Sequence, residues 1–430
     1  MNDSFIIKGL AGRKTLKGKI AVNGAKNAVL KALAASFLFK GEVFIKNVPH
    51  IKDVSMMVSL LESLGATVGK KNRTLVVYPP KKSDGHFGDM IAKRLRASIV
   101  VSGPILARYG AVSFPHPGGC VLGARPIDLF LEGYKKMGAR VSVKGGYYHM
   151  HVPSGRLKGT TLFFKNQSVG ATETFMMAAV LAEGKTILKN CACEPEIAHL
   201  AEFLNSCGAH IKGAGTHTIE IRGVKNPLRV RKAYTTLPDR LETGSFLILA
   251  ALAGKDITIT QCNPGHVEAL IEVLSLSGVT MKVGKDTLRV YNNGRKVFQA
   301  ADIKTHEYPG FPTDLQAPMA VFLSQAKGSS LIFETIFEAR LEYVKELVHM
   351  GADISICDPH RAIVEGPTKL VGRKLESPDI RAGLAFILAA IIARDESIIH
   401  NVDKIDRGYE RVEERLSLLG VSILRVPGKA

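Results

Sequence analysis

Tryptophan is absent from this chain, and acid is scarce beside base: 39 Asp+Glu face 58 Lys+Arg, a formal net charge of +19. That deficit calls for an anionic partner. A basic surface is also a nucleic-acid footprint. Here, however, the positive residues are spread along the chain, and no zinc-finger, homeodomain or RNP signature occurs. Small phosphorylated molecules explain the same charge. Cysteine is sparse too. The six, at positions 120, 191, 193, 207, 262 and 357, show neither metal-ligand spacing nor a small disulfide framework. The apolar runs are too short to span a bilayer. The opening residues MNDSFIIKGLAGRK do not read as a signal peptide. These absences predict a cytoplasmic enzyme for small anionic molecules, with neither nucleic acid nor membrane as partner, and leave its oligomeric state open.

Glycine, by contrast, is plentiful, and six of the 41 recur at intervals of about seventy residues: Gly65, Gly138, Gly208, Gly278, Gly351 and Gly420. Each closes a helix-like segment and opens a strand-like one, where a helix end favours a left-handed residue. A copied supersecondary unit is the reading. Within each copy an alanine-rich apolar segment comes first, as in TFMMAAVLA (174–182), SFLILAALA (245–253) and GLAFILAAIIA (383–393). Being apolar all round, these suit helices buried on every side. A short strand follows, such as KTILKN (185–190) or ESIIHN (396–401), and then a one-faced helix. Ile197, Leu200, Ala201 and Leu204 show that amphipathic spacing. The unit reads helix–strand–helix–strand–strand, completed by a neighbouring strand. The class is α/β or α+β. Six copies exceed one ordinary core and predict two globular domains. The best break lies in RVRKAYTTLPDR (229–240). Residues 1–25, with strand-like runs FIIKGL and GKIAVN, suit either half.

Function is sought where the copies differ. FPHPGGCVLGARPIDL (114–129) is too rich in glycine and proline for a long regular element, so Cys120 lies on a loop. Arg125 beside it would lower the thiol's pKa and make it reactive or a proton donor near neutrality. Three cations stand at or near the start of the first helix of their copies: Lys26, Arg96 and Arg381. Each alone reads as solvated, against the helix dipole. Three in equivalent places suggest convergence on a shared anion, with Arg407 joining from the start of the last amphipathic helix. Asp314 precedes the fifth copy's helix, as an N-cap or as a general base. Ser168, Val169 and Gly170 precede the third copy's helix, where free N–H groups suit a phosphate and capping by Ser168 is the plain alternative.

Together with NGAKNA (23–28), EPEI (194–197), LPDRLETG (237–244), FPTDLQA (311–317) and IDRGYER (405–411), these residues resemble the UDP-N-acetylglucosamine 1-carboxyvinyltransferases, a family of enolpyruvyl transferases. The resemblance runs over essentially the whole chain. The sister shikimate-phosphate enolpyruvyl transferases share the six-copy fold but lack the Gly-Gly-Cys loop. The resemblance implies a two-domain inside-out α/β barrel of βαβαββ-type units, three per domain. One domain would take 1–25 with 238–430, the other 26–237 with the Cys120 loop, and the active site would lie between them. Phosphoenolpyruvate would give its enolpyruvyl group to the sugar 3-hydroxyl, with Cys120 as acid and Asp314 as candidate base. Lys26, Arg125 and Arg407 would hold phosphoenolpyruvate. Asn27 and Asp314 would face the amino sugar, and Arg96, Ser168, Val169 and Gly170 the diphosphate. Pro126, Ile127, Asp128 and Leu129 would pack around uridine, with the backbone of Ile336 completing the pocket. Asp379 and Arg381 would support a closed state. No metal or cofactor is needed, because arginines and lysines supply the charge. Covalent capture of Cys120 by fosfomycin is expected. Phe130, Asn166, Ala339 and Ile380 depart from common family residues; the first two bear on nucleotide affinity rather than reaction type.

Overall fold

At all six recurring glycines the backbone turns left-handed, with φ between 87° and 102°. The computed structural model describes residues 3–88, 95–118, 127–291 and 297–428. In every copy the glycine N–H bonds to the carbonyl three residues back, as Gly208 does to Asn205 at 3.0 Å. The next residue's N–H bonds to the carbonyl five back, as Ala209 does to Leu204 at 3.0 Å. This pair of bonds satisfies carbonyls that a helix end otherwise orphans. The residues at both ends of the longer bond, such as Leu61 with Ala66 and Leu274 with Val279, are buried. An apolar contact therefore locks each turn.

The described strands form five four-stranded sheets and one of three strands. Each four-stranded sheet has one parallel pair at an edge and antiparallel pairs elsewhere. Thr161–Phe163 runs parallel to Lys185–Lys189, which pairs antiparallel with Thr218–Arg222. The three-stranded sheet gains an equivalent edge from a parallel bridge between His86 and Ser113. Two strands are exchanged where the chain crosses between units. Leu16–Ala21 leads into the helix Lys26–Ala35 but pairs with Gly254–Thr260. Tyr234–Thr235 leads into the helix Arg240–Ala253 but pairs with Val43–Lys46. The first strand, Ser4–Lys8, completes the sixth copy between Glu396–His400 and Ser422–Val426.

Two compact units result, one from the chain's start to Asn23 and from Pro238 onward, the other essentially from Gly24 to Leu237. The first crossing falls two residues before the expected 25/26 boundary. Ala25 already belongs with the second unit, donating its N–H to Leu237 at 2.8 Å. Each unit has its own apolar core. The alanine-rich helices are its centre: every residue of Arg240–Ala253 is buried, as is every residue from Ala171 to the end of Val169–Val180. A Cβ on Gly103 would lie 2.5 Å from the Thr174 carbonyl oxygen, so glycine permits the close packing of Ser98–Tyr109 on Val169–Val180.

Candidate active site

In the unit that begins at Pro238, Asp314 occupies a single 3-10 turn, Thr313–Leu315, ahead of the helix Gln316–Leu323. It caps neither element. Its Oδ1 accepts from Arg340 Nη2 and its Oδ2 from Arg381 Nε, both at 2.9 Å. Arg381 is the second residue of the helix Ile380–Ile392 and is not solvated at that start. Asp379 caps the helix, accepting from the N–H groups of Arg381 at 2.6 Å and Ala382 at 3.1 Å. Arg381 Nη1 also donates to the buried Tyr409 hydroxyl at 2.9 Å. Both arginine side chains are almost wholly covered, whereas that of Asp314 is 26% exposed. Burial pushes the Asp314 carboxyl up, but Arg381 and Arg340 outweigh it and hold it well below the carboxylate range. Burial also disfavours the charge on Arg381, and Tyr409 and Asp314 outweigh that, raising its pKa. The cluster presents an ionised, hydrogen-bond-accepting carboxylate backed by two cations.

Neither Arg340 nor Glu334 was legible as a site residue. Glu334 is fully buried and accepts from Thr313 Oγ1 at 2.8 Å, Ile336 N–H at 2.8 Å and Phe337 N–H at 3.1 Å. It ties the Asp314 turn to the segment carrying Ile336. Arg407 does not open the last helix, which starts at Val412. It sits in the preceding turn, after Val402–Ile405, two residues before Tyr409.

In the other unit, Lys26 is the first residue of its helix, and its Nζ lies 2.6 Å from Asp53 Oδ2. Asp53, in the first turn of Lys52–Ser63, is buried, another partner that sequence spacing did not reveal. Asn27 follows, half-buried. Arg96 stands in the turn before Ser98–Tyr109, not within the helix, and donates to the Pro117 carbonyl at 3.0 Å. Ser168 does cap its helix, accepting from Ala171 N–H at 3.2 Å, with Val169 and Gly170 half-exposed in the first turn. Ile127 is buried at the start of Asp128–Lys136, with Asp128 exposed and Leu129 half-buried. Phe130 packs inward against Phe175, ring centroids 6.1 Å apart. Cys120, Arg125 and Pro126 lie outside the described residues.

A second ionic cluster escaped the sequence. Lys31 Nζ lies 3.1 Å from Glu173 Oε2, both buried. Burial pushes Glu173 up to about 7 despite Lys31, with Glu196 and Glu194 adding to the rise. Among the described residues no group of three or more His, Cys, Asp or Glu is placed to hold a metal ion. Nor is any described helix long and apolar enough to cross a membrane.

A family model described as EPSP synthase (3-phosphoshikimate 1-carboxyvinyltransferase) matches residues 10–416. The chain is 43% identical over 410 residues to UDP-N-acetylglucosamine 1-carboxyvinyltransferase 1 of Caldanaerobacter subterraneus subsp. tengcongensis, covering 95% of this chain and 97% of that one. It is 42% identical over 429 residues to the UDP-N-acetylglucosamine 1-carboxyvinyltransferase of Acidobacterium capsulatum, covering 99% and 96%. The chain belongs to the UDP-N-acetylglucosamine 1-carboxyvinyltransferase family. Among solved structures, this family member shares its fold with the enolpyruvyl transferase NikO from Streptomyces tendae, at a TM-score of 0.88 and 22% identity over 100% of both chains. EPSP synthase from Acinetobacter baumannii is more distant in fold, at 0.73 and 19% over 99% of this chain and 100% of that one.

Proposed function

We propose that this chain transfers the enolpyruvyl group of phosphoenolpyruvate to the 3-hydroxyl of UDP-N-acetylglucosamine, releasing phosphate. The sugar oxygen adds to C2 of phosphoenolpyruvate while C3 takes a proton, giving a tetrahedral ketal. The C2–O bond to phosphate then breaks as C3 loses a proton, and the enol ether remains. This chemistry needs an acid aimed at carbon, a base at the hydroxyl and fixed positive charge for a trianion. Cys120 is the acid. Asp314 is the base, its exposed edge receiving the hydroxyl. Lys26, Arg125 and Arg407 bind phosphoenolpyruvate, and these cations supply the charge, so the proposal includes no metal or organic cofactor.

Asn27 and Asp314 hold the amino sugar, and Arg96 with the Ser168–Val169–Gly170 helix start holds the diphosphate. Pro126 to Leu129 and the Ile336 backbone hold uridine, while Asp379 and Arg381 support the closed state. The architecture is the two-domain inside-out α/β barrel of the enolpyruvyl transferases, and the reaction supplies peptidoglycan precursors in the cytoplasm.

The observation that carries this reading is Asp314, an ionised carboxylate clamped by two buried arginines yet open to solvent, in a chain 43% identical to a relative named for this activity. Phosphate release from phosphoenolpyruvate tests it. The purified chain is expected to release phosphate with UDP-N-acetylglucosamine and not with shikimate 3-phosphate. The reverse preference would assign it to the sister reaction, and binding of the sugar nucleotide without release would make it a non-catalytic relative.

A further inference from the structure

We propose that the outward face of the sheet built from Ala111–Pro115, Tyr147–His151 and Arg140–Lys144 binds single-stranded nucleic acid. The +19 of the chain is not evenly shared, as the spread of basic residues suggested. Residues 24–237 hold 30 Lys+Arg against 13 Asp+Glu, a net +17; the rest hold 28 against 26, a net +2. A handful of cations suffices for a small trianion, so the excess on one unit calls for a larger anion.

The sheet shows where such an anion would lie. Along the central strand, alternate residues share a face. Met150 is buried, which puts Tyr147, His149 and His151 on the outward side. Directly opposite them on the edge strand stand Lys144, Ser142 and Arg140, all exposed. His86, bonded to Ser113 through its ring nitrogen at 2.9 Å, stacks on Tyr147 with ring centroids 5.2 Å apart and planes at 20°. His149 continues the row, 6.2 Å from Tyr147. No carboxylate belongs to this face of the three strands; Asp84, which accepts from His86 N–H at 3.0 Å, flanks it.

Rings in line with cations beside them form a stacking platform for unpaired bases and their phosphates. A duplex hides its base faces, and a membrane surface would require apolar anchors that this row of Tyr, His and Ser lacks. None of the residues assigned to the transferase reaction lies on this face.

The test uses the full chain and a fluorescent 20-mer of oligo-dT or oligo-U, read by anisotropy between about 50 and 200 mM salt. The expected result is binding that weakens steeply with salt. Tyr147→Ala should lose about tenfold in affinity. The pair Arg140→Glu and Lys144→Glu should reduce the log–log salt slope by about 1.4. Reversing Lys189 and Lys212, exposed on another sheet of the same unit, should leave affinity within about twofold, and all variants should keep parental phosphate release. No binding at low salt would overturn the proposal. So would equal losses from both charge reversals with Tyr147→Ala silent, or displacement by anionic vesicles under the same silence. Phosphate release reports the transferase reading separately, so failure of one leaves the other standing.

Discussion

Asp314 shows how a carboxylate's partners set its chemistry. Clamped by Arg340 and Arg381, it is held ionised, and its depressed pKa makes it a weak proton acceptor while both guanidiniums are in place. Removing Arg340 should therefore raise the carboxyl's pKa. For Arg340→Gln the acid limb of the kcat/KM–pH profile is predicted to move toward neutrality, with kcat/KM lower by about ten- to a hundredfold at its optimum. An unmoved limb would mean that Arg340 does not govern the proposed base. Glu173 gives the opposite sign. Its folded pKa is raised from 4.5 to about 7. The unfolded chain releases that proton first, so stability falls as pH rises across this window. Glu173→Gln cannot ionise; its stability relative to the parent should grow from pH 5 to 8, by on the order of 3 kcal/mol at most. Thermal unfolding across that range checks this, and a pH-independent difference would contradict it. The positions of Lys26 and Arg381 were legible because each stands at the start of the first helix of its copy, and that of Asp314 because it precedes the fifth copy's helix. Their partners were not. Asp53 lies 27 residues from Lys26 and Arg340 lies 26 from Asp314, each on another element with no periodic mark.

The six glycine turns are the element on which the fold repeats, and they are legible because one residue type solves one backbone problem. At Gly208 nothing lies within 4 Å of where a Cβ would stand, and φ is 102°. Substitution there meets backbone strain alone. Gly208→Ala is predicted to cost about 1–2 kcal/mol without disturbing packing, read as a lower urea midpoint at unchanged slope; an unchanged midpoint would refute the strain. The buried helices were equally legible, since SFLILAALA (245–253) and GLAFILAAIIA (383–393), which make up most of Arg240–Ala253 and Ile380–Ile392, read as apolar all round. Strand pairing was not. Leu16–Ala21 joins Gly254–Thr260, more than two hundred residues on, and nothing local in GKIAVN names that partner.

For the whole molecule, two cores of repeated units carry a shared fold, and identity of 43% against 19% separates this chain's own family from the EPSP synthase neighbour. Charge is the property that only the division into units makes intelligible, with +17 on one and +2 on the other. In the proposed reaction C3 of phosphoenolpyruvate becomes a methyl group and then a methylene again. Running phosphoenolpyruvate with UDP-N-acetylglucosamine in deuterium oxide, and reading the product's vinyl protons by NMR, tests it directly. The expected product is a 3-O-enolpyruvyl sugar nucleotide with deuterium at that methylene. Product without deuterium there would contradict it.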